Sequence, residues 1–172
     1  MAAGKPHHAP PFSTAQCPDL FDCILPVPGF RQARSYACGF ASALMVARYF
    51  CPETSAQGLF ARLGTGPSGT RQTAIVRALR GLGIRVGVRY DMTFFDLCRA
   101  VDGGRPVIAY FHDDEHWVVI YGYGMFPERV FIADPEAGCG VAVAWTAADP
   151  RLRSFGMVCS RGRAMVDPRR LS

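Results

Sequence analysis

The sequence lacks an apolar run long enough to cross a membrane as a helix. Its best candidate, PVIAYF followed by WVVIYGYG, is interrupted by the polar stretch HDDEH. The N-terminal stretch MAAGKPHHAPPFSTAQ also lacks the apolar core of a secretory signal peptide. We therefore expect no membrane span and a cytoplasmic location, with secretion by a route that needs no cleavable signal peptide as the alternative.

Paired cysteine motifs are absent as well. The seven cysteines are an odd number and show no CxxC spacing, so neither a disulfide framework nor a zinc ribbon is indicated. Reduced thiols agree with a cytoplasmic setting, and a bond between Cys17 and Cys23 in an oxidising compartment is the alternative. The remaining cysteines outside the candidate site are expected to be small buried apolar residues: Cys51, Cys98, Cys139 and Cys159.

Charged residues are scarce, at 19%, whereas 49% of the residues are hydrophobic. A chain of 172 residues with this composition can bury a core and is not expected to be disordered. Much of the net charge of +5 lies in C-terminal arginines, without interleaved aromatic residues or a nucleic-acid-binding motif, so we expect no nucleic-acid partner. The predicted organisation is a Pro-rich arm over 1–29, one domain over 30–160 and a basic tail over 161–172.

Helical patterns dominate the first half of the chain and strand patterns the second. The first helix is expected to begin near Cys38 and to end before Pro52, because proline restricts the residue that precedes it. Thr54 or Ser55 is expected to cap a second helix, and Thr70 a third. This order predicts an α+β fold in which the helix carrying Cys38 packs on a C-terminal antiparallel sheet. A fourth helix is predicted over 93–101, and strands over 84–90, 106–111, 116–123, 129–133, 141–145 and 155–159.

Cys38 is the candidate nucleophile. It lies in the stretch QARSYACGFASALMVARYF, which turns from polar to apolar at this residue and continues with helical spacing. Unpaired backbone N–H groups and the positive end of the dipole at a helix start favour the thiolate, which is the reactive form. Gln32, six residues upstream, can direct a side-chain N–H toward an oxyanion above the sulfur. The alternatives are a buried core cysteine and an ordinary polar residue before a helix.

The candidate base is His116, which opens the strand-like run HWVVIYGYG. His7 and His8, by contrast, lie in the Pro-rich N-terminal stretch. Asp134 ends the next predicted strand, and two adjacent antiparallel strands would bring it near His116, where a carboxylate can orient the imidazole. The alternatives are a strand-end histidine bonded to backbone and an aspartate that forms a turn before Pro135.

The polar run HDDEH before this strand allows two interpretations. Two imidazoles and three carboxylates could bind a metal ion, but the run reads as a hairpin tip and no cysteine pair completes a site, so we expect no metal. We favour a polar rim of the cleft, whose carboxylates would favour protonated His116. An aromatic neighbour either shields the site from water or packs in the core. The rim candidates are Asp113, Asp114, Glu115 and Trp117.

These motifs together resemble the papain-like cysteine peptidases. Gln32 followed by Cys38-Gly39 and an apolar helix resembles their nucleophile segment, and His116-Trp117-Val118 resembles the strand that carries their histidine. Asp134-Pro135 followed by Gly138 is similar to the bacteriocin-processing peptidases that cut after double-glycine leaders, and to related stand-alone bacterial proteases. Gly69-Thr70 and AIVRALRGLGIRV also resemble that group, and the resemblance covers roughly residues 30–155.

The resemblance implies a papain-like fold and a cysteine peptidase that needs no cofactor. Cys38, His116 and Asp134 would act as a catalytic triad through a thioester, with Gln32 in the oxyanion hole, on a peptide or protein substrate. A deamidase or transamidase that acts as an effector or toxin, and a catalytically silent peptide-binding module, are the alternatives. A membrane exporter, a secretion system or an immunity partner encoded nearby would be the expected partners.

Overall fold

The computed structural model describes residues 22–112, 114–138, 140–146 and 155–162. Three consecutive helices follow the first strand, a fourth helix lies between the second and third strands, and the remaining strands follow one another. The helices are α1 (Cys38–Phe50), α2 (Ala56–Leu63), α3 (Gln72–Gly81) and α4 (Phe94–Asp102). The strands are β1 (Asp22–Ile24), β2 (Ile84–Arg89), β3 (Val107–Phe111), β4 (His116–Met125), β5 (Glu128–Ala133), β6 (Val141–Ala144) and β7 (Gly156–Arg161).

All seven strands belong to one antiparallel sheet. The order is β2-β7-β3-β4-β5-β6, and β1 pairs with the second half of β4. The last strand, β7, therefore lies between β2 and β3, which precede it in the chain. The long strand β4 is central because it pairs with β3, β5 and β1. The predicted α+β fold is confirmed, and every predicted strand is present within one or two residues of its expected ends, as usual for such boundaries.

The two faces of the sheet bury different sets of side chains. Trp117 and Val119 of β4 pack into one cluster with α1, α2 and α3, whereas Val118 and Ile120 pack into a second cluster with Leu97 of α4. This alternation follows from the two-residue period of a strand. Helix α1 is the most deeply buried helix, since its first ten residues are all buried. The start of α1 consequently lies on the face of the sheet opposite to α4.

Local capping explains where two of the helices begin or end. Ser55 caps α2 by accepting a hydrogen bond from the backbone of Gly58, and Gly64 ends that helix in the left-handed region at φ 59°. Thr93 forms a capping box at the start of α4. The prediction that Thr70 caps α3 is wrong. The hydroxyl of Thr70 lies 2.9 Å from that of Thr65, and both are buried.

Strand β1 belongs to the segment predicted as an arm, yet it pairs with β4 from residue 22 onward. A buried ion pair holds this attachment, because Arg129 of β5 donates two hydrogen bonds to the Asp22 carboxylate at 2.8 and 3.0 Å. Residues 1–21 of the predicted arm, which include Cys17, and nearly all of the predicted tail lie outside the described residues. Within the described ranges, none of the helices has the length and apolar character that a membrane span needs.

Candidate active site

Cys38 is the first residue of α1 and is buried, with 6% of its surface exposed. The preceding residue, Ala37, makes no side-chain cap, so the first N–H groups of the helix are not taken by a capping oxygen. The backbone N–H groups of Gly39 and Trp117 both interact with the Cys38 sulfur. Cys38 therefore lies in the first turn of a buried helix, as predicted.

His116 is the first residue of β4, and Asp134 follows directly after β5. His116 Nε2 lies 2.7 Å from Asp134 Oδ1. Because β4 and β5 are antiparallel neighbours with Val119 opposite Ala133, the start of one strand meets the end of the other. Asp134 Oδ1 also accepts a hydrogen bond of 2.8 Å from the backbone of Glu136, which fixes the carboxylate.

Cys38 and His116 are hydrogen-bonded to each other across the gap between α1 and the sheet. An ionised carboxylate only accepts hydrogen bonds, so the ring nitrogen facing Asp134 carries a proton. Nε2 is thus committed to Asp134, and Nδ1 is the nitrogen left for the thiol. The structure brings together the three predicted residues from three separate elements.

Two opposing influences set the pKa values of the three residues: the hydrogen bonds and charges within the site, and burial. Burial alone would raise the pKa of Cys38, but the hydrogen bond with His116 and the N–H of Trp117 outweigh it, so the net pKa is lowered. Burial alone would lower the pKa of His116, yet its hydrogen bonds with Asp134 and Cys38 raise the value to about 10. Burial alone would raise the pKa of Asp134, but the hydrogen bonds from His116 and from the backbone of Glu136, together with the charge of His116, outweigh it, so the net pKa is lowered. This pattern favours a thiolate beside an imidazolium.

Gln32 lies in the loop before α1. Its backbone N–H donates to the carbonyl of Pro135 at 2.8 Å, so the turn that carries Asp134 also holds this loop. Its side-chain Nε2 donates to the carbonyl of Ser35 at 3.3 Å, while Oε1 is buried and has no partner among the described residues. One of the two amide hydrogens is therefore occupied, and the other remains for a ligand.

Two residues that the sequence did not single out hold α1 against β4. Ser42, fully buried one turn after Cys38, donates its hydroxyl to the carbonyl of Trp117 at 3.1 Å. Gly39 permits close approach, because a Cβ there would lie 2.7 Å from Thr70 Cβ and 2.9 Å from Trp117 Cδ1. The signal for Ser42 was its polarity within an apolar helix, four residues from Cys38. Nothing local distinguished Gly39 from a glycine tolerated in a first turn.

The structure describes only part of the predicted rim. Asp114 and Glu115 are exposed just before His116, and Asp113 lies outside the described residues. Trp117 is buried, where its ring packs against those of Tyr110 and Phe155 with centroids 4.7 and 5.9 Å apart. The part of the chain that the structure describes contains no group of three or more His, Cys, Asp or Glu side chains suited to a metal ion.

Of the other predicted cysteines, Cys98 and Cys159 are buried and Cys51 is half-buried. Burial raises the pKa of Cys98 to about 11 and that of Cys159 to about 12. Cys38 is the cysteine whose pKa moves in the opposite direction. Cys139 lies outside the described residues.

Comparison with known proteins gives a consistent assignment. The sequence model described as the Peptidase C39 family matches residues 27–142, well over half of the chain. The fold is similar to a double-glycine motif protease from an AMS/PCAT transporter, solved with its leader peptide, at 20% identity and a TM-score of 0.65, covering 79% of this chain and 92% of that one. None of the curated proteins matches this sequence significantly.

Two further solved structures share the fold. The peptidase domain of Streptococcus ComA, a bifunctional ABC transporter of a quorum-sensing pathway, is 21% identical with a TM-score of 0.65, covering 78% of this chain and 98% of that one. A C39-like peptidase from Bacillus anthracis is 16% identical with a TM-score of 0.66, covering 83% and 99%. At these identities the structural likeness speaks for the fold, whereas the family match rests on the sequence.

Proposed function

The chain belongs to the peptidase C39 family of papain-like cysteine peptidases, and from this we propose that it hydrolyses peptide bonds through a triad of Cys38, His116 and Asp134. One observation carries the proposal. His116 is hydrogen-bonded to a thiol on one side and, at 2.7 Å, to a carboxylate on the other. Thiol catalysis requires a nucleophile, a base and an orienting group that contact one another in this order.

In the first half of the reaction, the Cys38 thiolate attacks the carbonyl carbon of the scissile peptide bond. The carbonyl π electrons move to oxygen, and the resulting oxyanion collapses as the C–N bond breaks. The imidazolium of His116 donates its proton to the leaving amine, which departs with a free N-terminus. The acyl group remains on Cys38 as a thioester.

In the second half, neutral His116 takes a proton from water as the water oxygen attacks the thioester. Collapse of this second tetrahedral species breaks the C–S bond, releases the carboxylic acid product and restores the thiolate beside an imidazolium. Asp134 holds the ring in the tautomer that serves both steps. The free amide hydrogen of Gln32 and the backbone N–H of Cys38 are the proposed donors to the oxyanion.

The substrate we propose to try first is a peptide with two adjacent glycines. The proposal draws on the solved relative that is a double-glycine motif protease bound to its leader peptide. A membrane exporter is the corresponding candidate partner, because the ComA peptidase domain belongs to an ABC transporter.

Peptide cleavage and thiol labelling test this function together. We expect Cys38→Ala to abolish cleavage of a Gly-Gly peptide, whereas Cys51→Ala, a half-buried cysteine outside the site, should retain it. Iodoacetamide at mildly acidic pH, followed by peptide mapping, should label Cys38 faster than Cys51 and Cys98, because thiolate rather than thiol reacts. Retained cleavage by Cys38→Ala, or equal labelling of the three cysteines, would contradict the assignment. Mass spectrometry of the products separates hydrolysis from deamidation.

A further inference from the structure

A cleft lies on the face of the sheet that carries α4, opposite to the face on which α1 and Cys38 pack. Its volume is about 530 Å³. Arg85 and Gly87 of β2 stand opposite Ser160 and Val158 of β7 and form part of its floor, while Arg99 and its neighbours on α4 form a wall. A Cβ at Gly87 would have its nearest contact at 3.9 Å, so the floor is open there. We call this feature the arginine cleft.

Four arginines line the arginine cleft: Arg85, Arg89, Arg99 and Arg105. Among the residues that the structure describes, none of the four has a carboxylate at ion-pair distance. The one acidic residue in the lining, Asp96, already caps α4, accepting hydrogen bonds from the N–H and hydroxyl of Thr93 at 3.1 and 2.8 Å. The lining therefore carries four positive charges against one negative charge, which gives the cleft a net positive field.

Two of these guanidinium groups are held in place. Arg105 donates to the backbone carbonyl of Arg99 at 2.7 Å and folds back over Gly103. The guanidinium of Arg99 lies 5.9 Å from the ring centroid of Phe95. Arg99 of α4 and Arg89 of β2 line the same cleft from two different elements of the fold.

We infer that the arginine cleft binds a small ligand with clustered phosphate groups. Guanidinium forks match phosphate oxygens in charge and geometry. The volume is that of a small-molecule site rather than of a macromolecular surface. Tyr90 is 66% exposed at the cleft and is held by ring contact with Phe155, so it offers an aromatic face to an organic phosphate. A free organic phosphate and a lipid headgroup share this chemistry.

Calorimetric titration with inorganic tripolyphosphate tests the inference on the intact protein. We expect saturable binding that weakens about 100-fold in the double variant Arg85→Gln/Arg99→Gln, since each of the two charge-assisted contacts contributes about a factor of ten. The matched control is Arg62→Gln/Arg77→Gln, which removes the same charge from exposed positions on α2 and α3 and should bind like the parent. Circular dichroism verifies that each variant is folded.

Two further probes identify the source of the phosphate. Sedimentation with vesicles of equal parts phosphatidylcholine and phosphatidylglycerol, lost in the cleft variant, assigns it to a lipid headgroup, and tripolyphosphate binding without vesicle binding assigns it to a free ligand. The inference is overturned if tripolyphosphate fails to bind or if the control variant loses as much affinity. It is also overturned if a decaglutamate peptide binds through the same arginines and tripolyphosphate does not. None of these readouts depends on peptidase activity.

Discussion

Replacing Asp134 by asparagine removes a charge from the site while keeping its shape. The amide oxygen can still accept the hydrogen bond from His116 Nε2, now 2.7 Å from Asp134 Oδ1. The hydrogen bond to Asp134 is the largest influence that raises the pKa of His116 to about 10. An opposite charge at this distance shifts a pKa by about 1–3 units, or about 1.4–4 kcal/mol. We expect the pKa of His116 to fall by that amount in Asp134→Asn.

NMR titration of the ¹⁵N-labelled imidazole measures this shift without a substrate. Glu136→Gln is the matched control, because it removes one negative charge two residues away while only its backbone N–H contacts Asp134. The pKa of His116 should stay close to the parent value in that variant. A His116 that still titrates near 10 in Asp134→Asn, or an equal fall in Glu136→Gln, would refute the pairing as the cause.

The stability of the folded protein should also depend on pH, in the direction that the pKa shifts of His116 and Asp134 predict. The pKa of His116 is raised on folding, so its contribution is complete below its ordinary value of 6.5 and is lost as pH rises through about 10. The pKa of Asp134 is lowered, so its contribution is present above its ordinary value of 3.8 and is lost in acid. Urea unfolding should therefore show the largest difference between parent and Asp134→Asn near pH 6, and a smaller one above pH 10. A difference that grows with pH would contradict this sign.

Two packing features give further predictions. Gly39→Ala should cost about 1–3 kcal/mol of stability and reduce cleavage of a Gly-Gly peptide about 100-fold, because the new Cβ pushes against Thr70 and against Trp117, the residue after His116. Gly58→Ala, whose Cβ has 3.5 Å of clearance, is the control and should leave activity unchanged. Asp22→Ala should destabilise the protein by about 3–5 kcal/mol in urea unfolding, because it removes one partner of a buried ion pair, and a loss below about 1 kcal/mol would contradict this.

Elements with a strong local signal could be predicted from the sequence. The apolar run after Cys38 forms the buried helix α1, and Ser55, one of the two residues expected to cap α2, accepts the capping hydrogen bond. Thr70 failed as a cap because its hydroxyl pairs with Thr65, a contact between two loop residues that capping preference does not include. Capping preference predicts the contact correctly where no tertiary contact draws the side chain away from the nearest backbone N–H group.

The sequence alone could not predict which distant strands pair with each other in the sheet. Strand β7 inserts between β2 and β3, so two strands separated by most of the second half of the chain become neighbours. Strand β1 adds to β4 through the ion pair of Asp22 with Arg129, residues that are 107 positions apart. Neither pairing leaves a periodic pattern, since a strand's alternation defines its faces but not its neighbours.

The candidate site was easier to anticipate than the sheet, because its chemistry constrains residue types. Cys38 and His116 each open an element, and Asp134 follows one, so each side chain stands at an end where an apolar core gives way to polar groups. The role of Gln32 could not be derived in this way. Its observed contact is with Ser35, and its position depends on a backbone bond to Pro135 that joins two loops.

The pKa values of Cys38, His116 and Asp134 depend on one another because all three side chains are largely withdrawn from water. Burial is the largest single influence on the pKa of both Cys38 and His116, and for each it opposes the charged form. The net pKa shifts nevertheless favour the charged forms, because the thiolate, the imidazolium and the Asp134 carboxylate stabilise one another in a space with little screening. It follows that neutralising any one member should shift the other two toward their uncharged states. The hydrogen bond from Ser42 to Trp117 matters for the same reason, since it ties the helix of the thiol to the strand of the imidazole on which that pairing depends.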